Sequence, residues 1–318
     1  MKIAFLSNAD IAIEGMQRAM LPHRLILCRT RASLLEQIAD CDVLIVQNKG
    51  FPYHVVDAEV LSSAKQLKLI QHYGVSFDGT DADSARKKGV RIATTSNANS
   101  QSVAELAVHL LLCLAKKSNP SRLAVAAGRP ANFLCAELSG KTLCLVGFGR
   151  IGKIIARISS GFSMRVIAVK RTRVTPEAGE SGADAYYTIA ELHSALALAD
   201  YVVLAVPLTG ETFDLMDERA FAVMKAGAGL LNISRGPNVR RAALEQALAE
   251  GRLSGYAADV YWTEPVDPGD PLLRDERVVI TPHIGAESAE AIERIGIAVR
   301  QNIDRLIGGQ PLTNEVVV

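Results

Sequence analysis

Unbroken runs of Val, Ile and Leu recur along this chain at helix-length intervals, and they constrain the fold more than any other feature. The runs "KIAFL" at Lys2, "VLIVQ" at Val43, "LKLIQ" at Leu67, "TLCLVG" at Thr142, "RVIAV" at Arg165, "YVVLAV" at Tyr201, "GLLNIS" at Gly229 and "VVITP" at Val278 do not alternate apolar with polar residues. A strand that is apolar on successive residues has both faces covered, which is the situation of a parallel strand with helices above and below. Patterns of helical period lie between the runs, as in "TIAELHSALALAD" and "VRRAALEQALAEGR". This order predicts α/β architecture with doubly wound parallel sheets.

The spacing also predicts two domains. A long helical pattern, "SVAELAVHLLLCLAKK" from Ser102 to Lys117, is followed by "SNPSRLAVAAGRPANF", whose Pro, Gly and Ala content reads as a loop. A glycine turn at Gly147 then opens a second α/β half, after about 100 residues of α/β chain. A final helical pattern, "SAEAIERIGIAVRQNIDRLIGG", comes after the last strand and could cross back to the first half. The division expected is 1–98 with 287–318 for one domain and 99–286 for the other. A chain of 318 residues is long enough for both to hold a core.

Charge excludes some classes of partner. With 35 basic and 34 acidic residues the formal net charge is +1, which supports neither general nucleic-acid binding nor an anionic-membrane role. The first apolar run stops at Leu6, and "LAVHLLLCLA" is short of the ~18 apolar residues of a membrane span. The five cysteines, Cys28, Cys41, Cys113, Cys135 and Cys144, form no CxxC pair and sit mostly in apolar runs. A reduced, cytoplasmic protein without a structural metal is expected.

Chemistry enters at "VGFGRIGK". Gly147, Gly149 and Gly152 form GxGxxG between an apolar strand and a helix opened by Arg150 and Ile151. Alone the pattern also fits a glycine-rich turn with no ligand. In this context the glycines allow a pyrophosphate to approach the backbone, and the helix N-terminus stabilises its charge. Such a unit ordinarily ends, about 20 residues on, in an Asp or Glu that holds the adenosine ribose. Here the place eighteen residues beyond Gly152 is Lys170, followed by Arg171, Thr172 and Arg173. A solvated basic turn would look the same, but a carboxylate that would repel a 2′-phosphate is replaced by cations that would attract one.

Three more residues follow strands downstream: Arg235 in "NISRG", Glu264 in "ADVYWTEP" with Asp259 before it, and His283 in "ITPHIG". Singly each has an ordinary alternative: a surface arginine, a solvated acidic loop, a structural histidine. Together they occupy the carboxyl ends of strands, where ligands gather in open α/β sheets. Reduction of a 2-keto acid needs a proton donor near neutrality, a carboxylate to favour and orient it, and a planar cation for the substrate carboxylate. His283, Glu264 and Arg235 supply that set.

These segments, with "VVLAVPLTGET", "MKAGAGLLNISRG" and "ALAEGRLSGYAADVYWTEP", resemble the D-isomer-specific 2-hydroxyacid dehydrogenase family in the family's own order over nearly the whole chain. The resemblance implies a Rossmann-type nucleotide domain and a discontinuous, flavodoxin-like substrate domain. It implies that Arg235 binds the substrate carboxylate and carbonyl, that His283 is the acid/base and that Glu264 is its partner. Asp259 would hold the nicotinamide carboxamide. Val206, Pro207 and Thr212 would line the adenine and ribose side, with Ile233 and Ser234 at the nicotinamide ribose and Gly285 also at the cofactor. Backbone N–H groups at Gly74 and Val75 would help to bind the substrate carboxylate, although Ser76 stands where family members commonly have a second glycine. Asn48 and Lys49 fit either a ligand-facing or a solvated loop. A homodimer joined through the nucleotide domains is implied as well.

"NISRG" is similar to the NADPH-dependent glyoxylate/hydroxypyruvate reductases of the family, so NADP is expected as cofactor, with NAD the other candidate. A small 2-keto or 2-hydroxy acid is the expected substrate. The competing reading is a non-catalytic, NAD(H)-sensing binding protein on the same fold, which long extra binding tails would signal; no such tail is expected here. Oxidation of formate or phosphite is disfavoured by Glu264-Pro265, where formate-type members carry Gln-Pro.

Overall fold

The computed structural model describes residues 1–51, 55–172 and 182–316. These residues form two compact units, 1–102 with 286–318 and 103–285. Each is built on one parallel sheet with helices on both faces, so the α/β expectation is met in both.

In the first unit the strands are β1 (Lys2–Leu6), β2 (Arg24–Cys28), β3 (Val43–Val46), β4 (Leu69–His72) and β5 (Arg91–Ala93). They lie in the order β2-β1-β3-β4-β5, all parallel. This is the flavodoxin-like order, with its switch point between β1 and β3. Alternate strand residues enter opposite cores: Ala4, Leu6, Leu44 and Val46 on one side, Ile3, Phe5, Val43 and Ile45 on the other. The helix Ala289–Ile307 adds Ile295, Val299 and Ile303 to the second of these. It lies so close to the helix Asp10–Ala19 that a Cβ on Gly15 would stand 2.4 Å from Ile292.

The second unit holds β6 (Thr142–Val146), β7 (Arg165–Lys170), β8 (Ala185–Thr188), β9 (Tyr201–Leu204), β10 (Ala228–Asn232), β11 (Leu253–Ala258) and β12 (Val278–Ile280). Their order is β12-β11-β10-β9-β6-β7-β8. Read from β8, the first six reproduce the 3-2-1-4-5-6 order of a dinucleotide-binding sheet, and β12 extends it. Cys144, Val146, Val202 and Leu204 face one core, and Leu143, Leu145, Tyr201 and Val203 the other.

Local pattern alone misses β2, β5 and β8, and β11 is expected only as the strand before Asp259, not as an apolar run. The first is an edge strand with only Cys28 buried, the second has three residues, the third is half-buried along its length, and in β11 ("LSGYAA") Ser254 and Gly255 interrupt the apolar run. The segment after Lys117, expected to be a loop, begins with the helix Ser118–Ala126. Pro120 sits in its first turn, where a missing N–H breaks no helical bond, so it does not exclude the helix. None of the nine residues of that helix is buried.

Candidate active site

Strand order decides which loops meet. β10, β11 and β12 are neighbours, and Arg235, Glu264 and His283 each follow one of them at the carboxyl end. His283 Nδ1 lies 2.7 Å from Glu264 Oε2, and Glu264 Oε1 accepts the Tyr261 N–H at 3.0 Å. Both carboxylate oxygens are thereby fixed, and so is the face that the histidine sees. Burial pushes the Glu264 carboxyl up, but the His283 hydrogen bond and charge, with a contribution from Arg235, bring it below the ordinary glutamate value. Glu264 is therefore ionised through the neutral range. With Nδ1 taken, Nε2 is the ring nitrogen left to pass a proton on. His283 has φ +55°, a left-handed backbone that a non-glycine residue adopts at a cost.

Asp259 holds that backbone. Its Oδ1 accepts from Thr281 Oγ1 at 2.6 Å and from the Ile284 N–H at 2.8 Å, and its Oδ2 accepts the Gly285 N–H at 2.8 Å. Burial raises the Asp259 carboxyl above its usual value against these bonds. Gly285 is buried, and a Cβ there would stand 2.9 Å from Asp259 Oδ2. The carboxylate has about four acceptor positions, and three are filled by the loop that carries His283.

Arg235 is set by two buried amides. Asn232 Nδ2 donates to the Arg235 carbonyl at 2.8 Å, Asn238 Oδ1 accepts the Arg235 N–H at 3.0 Å, and the guanidinium donates to Ser234 O at 2.7 Å. Pattern reading passed over both asparagines. The available signals were a polar residue closing the apolar run "GLLN" and an Asn in the turn after Gly-Pro. The Glu264 loop is likewise pinned from outside the site: Trp262 Nε1 donates to Val239 O at 2.7 Å, and Arg241 pairs with Asp270 through both terminal nitrogens.

The glycine turn fits a dinucleotide. Gly147 has φ +101° and a Cβ there would meet Ala205 O at 2.3 Å; one on Gly152 would meet Gly147 O at 2.5 Å. Gly149 differs, because nothing lies within 4 Å of its Cβ position. The first two glycines serve the protein's own packing, and the third leaves room for a ligand. Gly149 is also the N-cap of the helix Arg150–Ser160 and offers no side-chain acceptor to its first N–H groups. A phosphate would satisfy those donors. Arg150 is exposed there, while Ile151 packs against the core.

The loop after β9 is tied to the arginine loop: Val206 N donates to Ser234 Oγ at 2.9 Å, and Thr212 Oγ1 donates to Pro207 O at 2.6 Å. Ile233 packs half-buried between these loops and the core. At the end of β7, Lys170 is half-buried and Arg171 and Thr172 are exposed. Arg173 lies outside the described residues.

In the first unit Gly74 and Val75 follow β4 and Asn48 and Lys49 follow β3, again at the carboxyl ends of neighbouring strands. Thr95 Oγ1 donates to Tyr73 O at 2.8 Å, and the Asp78 N–H donates to Ser76 Oγ at 3.3 Å, so the Ser76 hydroxyl shapes the turn. Asn48 bonds Asp78 and Lys49 pairs with Glu287 at 2.7 Å, so this loop is not simply solvated.

Comparison with known proteins gives the family. The family model for "D-isomer specific 2-hydroxyacid dehydrogenase, NAD binding domain" matches residues 108–285, more than half of the chain. The chain belongs to the D-isomer-specific 2-hydroxyacid dehydrogenase family. The family is one of nicotinamide-dependent oxidoreductases, and the chain is accordingly an oxidoreductase of 2-keto and D-2-hydroxy acids. A glyoxylate reductase of Pyrococcus furiosus is 36% identical over 282 residues, covering 86% of this chain and 81% of that protein. A D-3-phosphoglycerate dehydrogenase of Archaeoglobus fulgidus is 32% identical over 97% of this chain and 57% of its own length. The crystal structure of a glyoxylate reductase from Paecilomyes thermophila superposes with a TM-score of 0.83 at 28% identity, covering 99% of this chain and 98% of that one. Among the described residues, no helix is long and apolar enough to cross a membrane.

Proposed function

We propose that this dehydrogenase acts as a reductase of small 2-keto acids of the glyoxylate or hydroxypyruvate type, with NADPH preferred over NADH. The observation that carries the reading is the His283–Glu264 contact of 2.7 Å, with Arg235 following the adjacent strand β10. Gly147, Gly149, Gly152, Arg150 and Ile151 would hold the pyrophosphate end of the cofactor, and Val206, Pro207, Thr212, Ile233, Ser234, Asp259 and Gly285 the rest. When bound, the nicotinamide supplies the hydride. Arg235 orients the substrate through its carboxylate and draws charge from the carbonyl oxygen. His283 gives its proton to that oxygen from Nε2, while Glu264 stabilises the protonated ring. In the first unit, the turn at Gly74 and Val75 is proposed to offer backbone N–H groups to a carboxylate.

NADPH preference rests on Lys170, Arg171 and Thr172. The usual carboxylate is absent, and two cations and a hydroxyl take its place at the end of β7. The proposed homodimer, joined through the nucleotide-binding units, draws on the helix Ser118–Ala126: a helix with no buried residue, followed by Leu134 at 88% exposure, presents apolar surface for a second copy to cover. A cytoplasmic location completes the reading.

The test is steady-state reduction of glyoxylate, hydroxypyruvate, pyruvate and 2-ketoglutarate with each cofactor. Higher kcat/KM for glyoxylate and hydroxypyruvate with NADPH supports the reading. Failure to reduce any 2-keto acid overturns it, and equal use of NADH overturns the cofactor assignment alone.

A further inference from the structure

We propose that Asn238 is a positioning residue that holds the substrate arginine and the cofactor loop in one fixed geometry. The inference rests on the roles just given to Arg235 and Thr212. Asn238 is fully buried in the short turn Gly236–Asn238. Its Oδ1 accepts the Arg235 N–H at 3.0 Å and its Nδ2 donates to Thr212 O at 2.9 Å. One amide group therefore reads two loops at once, the acceptor end on the loop after β10 and the donor end on the loop after β9.

The link continues in both directions. Thr212 Oγ1 donates to Pro207 O and accepts the Thr209 N–H at 2.8 Å, which closes the loop after β9 on itself. On the other side, Asn232 fixes the Arg235 carbonyl while its Oδ1 accepts the Ser234 N–H at 2.9 Å. The Asn238 backbone adds a bond from the Met216 N–H at 3.0 Å. A buried amide in such a place has no water to fall back on, so each lost bond leaves an unsatisfied group in the wall of the site. At neutral pH no other side chain of this size holds a donor and an acceptor at this separation.

That asymmetry separates positioning from mere packing. Asn238→Ser keeps an acceptor for the Arg235 N–H and removes the donor to Thr212. The geometry has a precedent in this chain, where Ser33 Oγ accepts the N–H of Thr30 three residues earlier at 3.0 Å. Asn238→Asp also keeps the acceptor but turns an ionised oxygen toward the Thr212 carbonyl until the carboxyl is protonated. Both variants are expected to raise the KM for NADPH by about tenfold while the keto-acid KM changes by less than about twofold. In Asn238→Asp alone, the cofactor KM should fall as pH is lowered, because the protonated carboxyl donates to Thr212 again. Asn238→Val, which loses both ends, should raise both KM values.

The experiment is glyoxylate reduction over pH 5.5–8.5, with NADPH binding followed directly by dinucleotide fluorescence. If neither Ser nor Asp changes the cofactor KM, or if both KM values rise together in Asn238→Ser, the inference is wrong. A wild-type chain that binds NADPH but reduces no 2-keto acid contradicts the functional reading instead, and the fluorescence titration of the variants still judges Asn238. Should Asn238→Asp not fold, Asn238→Ser carries the same comparison.

Discussion

The carboxyl ends of β10 to β12 and the carboxyl end of β7 belong to one sheet, yet they are built in opposite ways. Around Arg235, Glu264 and His283, the loops are held by buried or half-buried partners: Asn232 and Asn238 on Arg235, Asp259 on the backbone after His283, and the Tyr261 N–H on Glu264. At the end of β7, Arg171 and Thr172 stand exposed. The proton transfer proposed for the first region would require atoms held to a fraction of an ångström before the reaction begins, which its preorganisation supplies. The discrimination between NADPH and NADH proposed for the second would require only that a charge be attracted, which exposed cations can do.

The comparison is broken most forcefully at its rigid end. His283→Asn should lower kcat by about 100- to 10,000-fold with little change in cofactor affinity, since proton donation acts in the transition state. Near-wild-type turnover would show that the fixed geometry serves another purpose. Arg235→Lys should lower kcat/KM about 10- to 100-fold although the charge is kept, because an ammonium cannot present a planar fork to carboxylate and carbonyl together. Wild-type efficiency there would place the substrate carboxylate elsewhere.

The exposed end should respond more gently and differently. Arg171→Ala should reduce the NADPH preference by about tenfold, and the effect should shrink as salt is raised, because exposed charges are screened. A salt-independent loss would mean that the basic turn is as enclosed as the histidine site. The smallest effect belongs to pH. Glu264 is lowered below its ordinary value in the folded chain, after burial and the His283 interactions are set against each other. Its stabilising contribution is thus complete above the unfolded value of about 4.3 and is lost as pH falls through the lowered folded one. Denaturation at pH 7 should show Glu264→Gln less stable than wild type, with the gap closing below about pH 4. For reduction itself, Glu264→Gln should lower kcat, because the ring that Glu264 orients through Nδ1 loses its charged partner. An unchanged kcat would remove Glu264 from that role.

Legibility in the sequence followed the range of the interaction. "TLCLVGFGRIGK" declared strand, turn and helix within twelve residues, because each is set by neighbours in the chain. His283, Glu264 and Arg235 were found by residue type and by their place after strands. The helix Ser118–Ala126 was missed since it has no buried face, and without a buried stripe it leaves no periodic apolar pattern. β11 gives no apolar run because Gly255 lies under a close neighbour: a Cβ there would meet Arg277 O at 2.6 Å.

The sequence by itself determined the parallel α/β class, the glycine turn, the loss of the ribose carboxylate at Lys170 and the residues able to do acid–base chemistry. Each depends on local periodicity or side-chain chemistry. Tertiary structure alone decided that Asp259 supports the His283 loop, and that one asparagine joins the Arg235 and Thr212 loops. Those hydrogen bonds link residues 22 to 26 positions apart. They exist only because β9, β10, β11 and β12 lie side by side in the sheet, and strand order is fixed by the packing of whole elements.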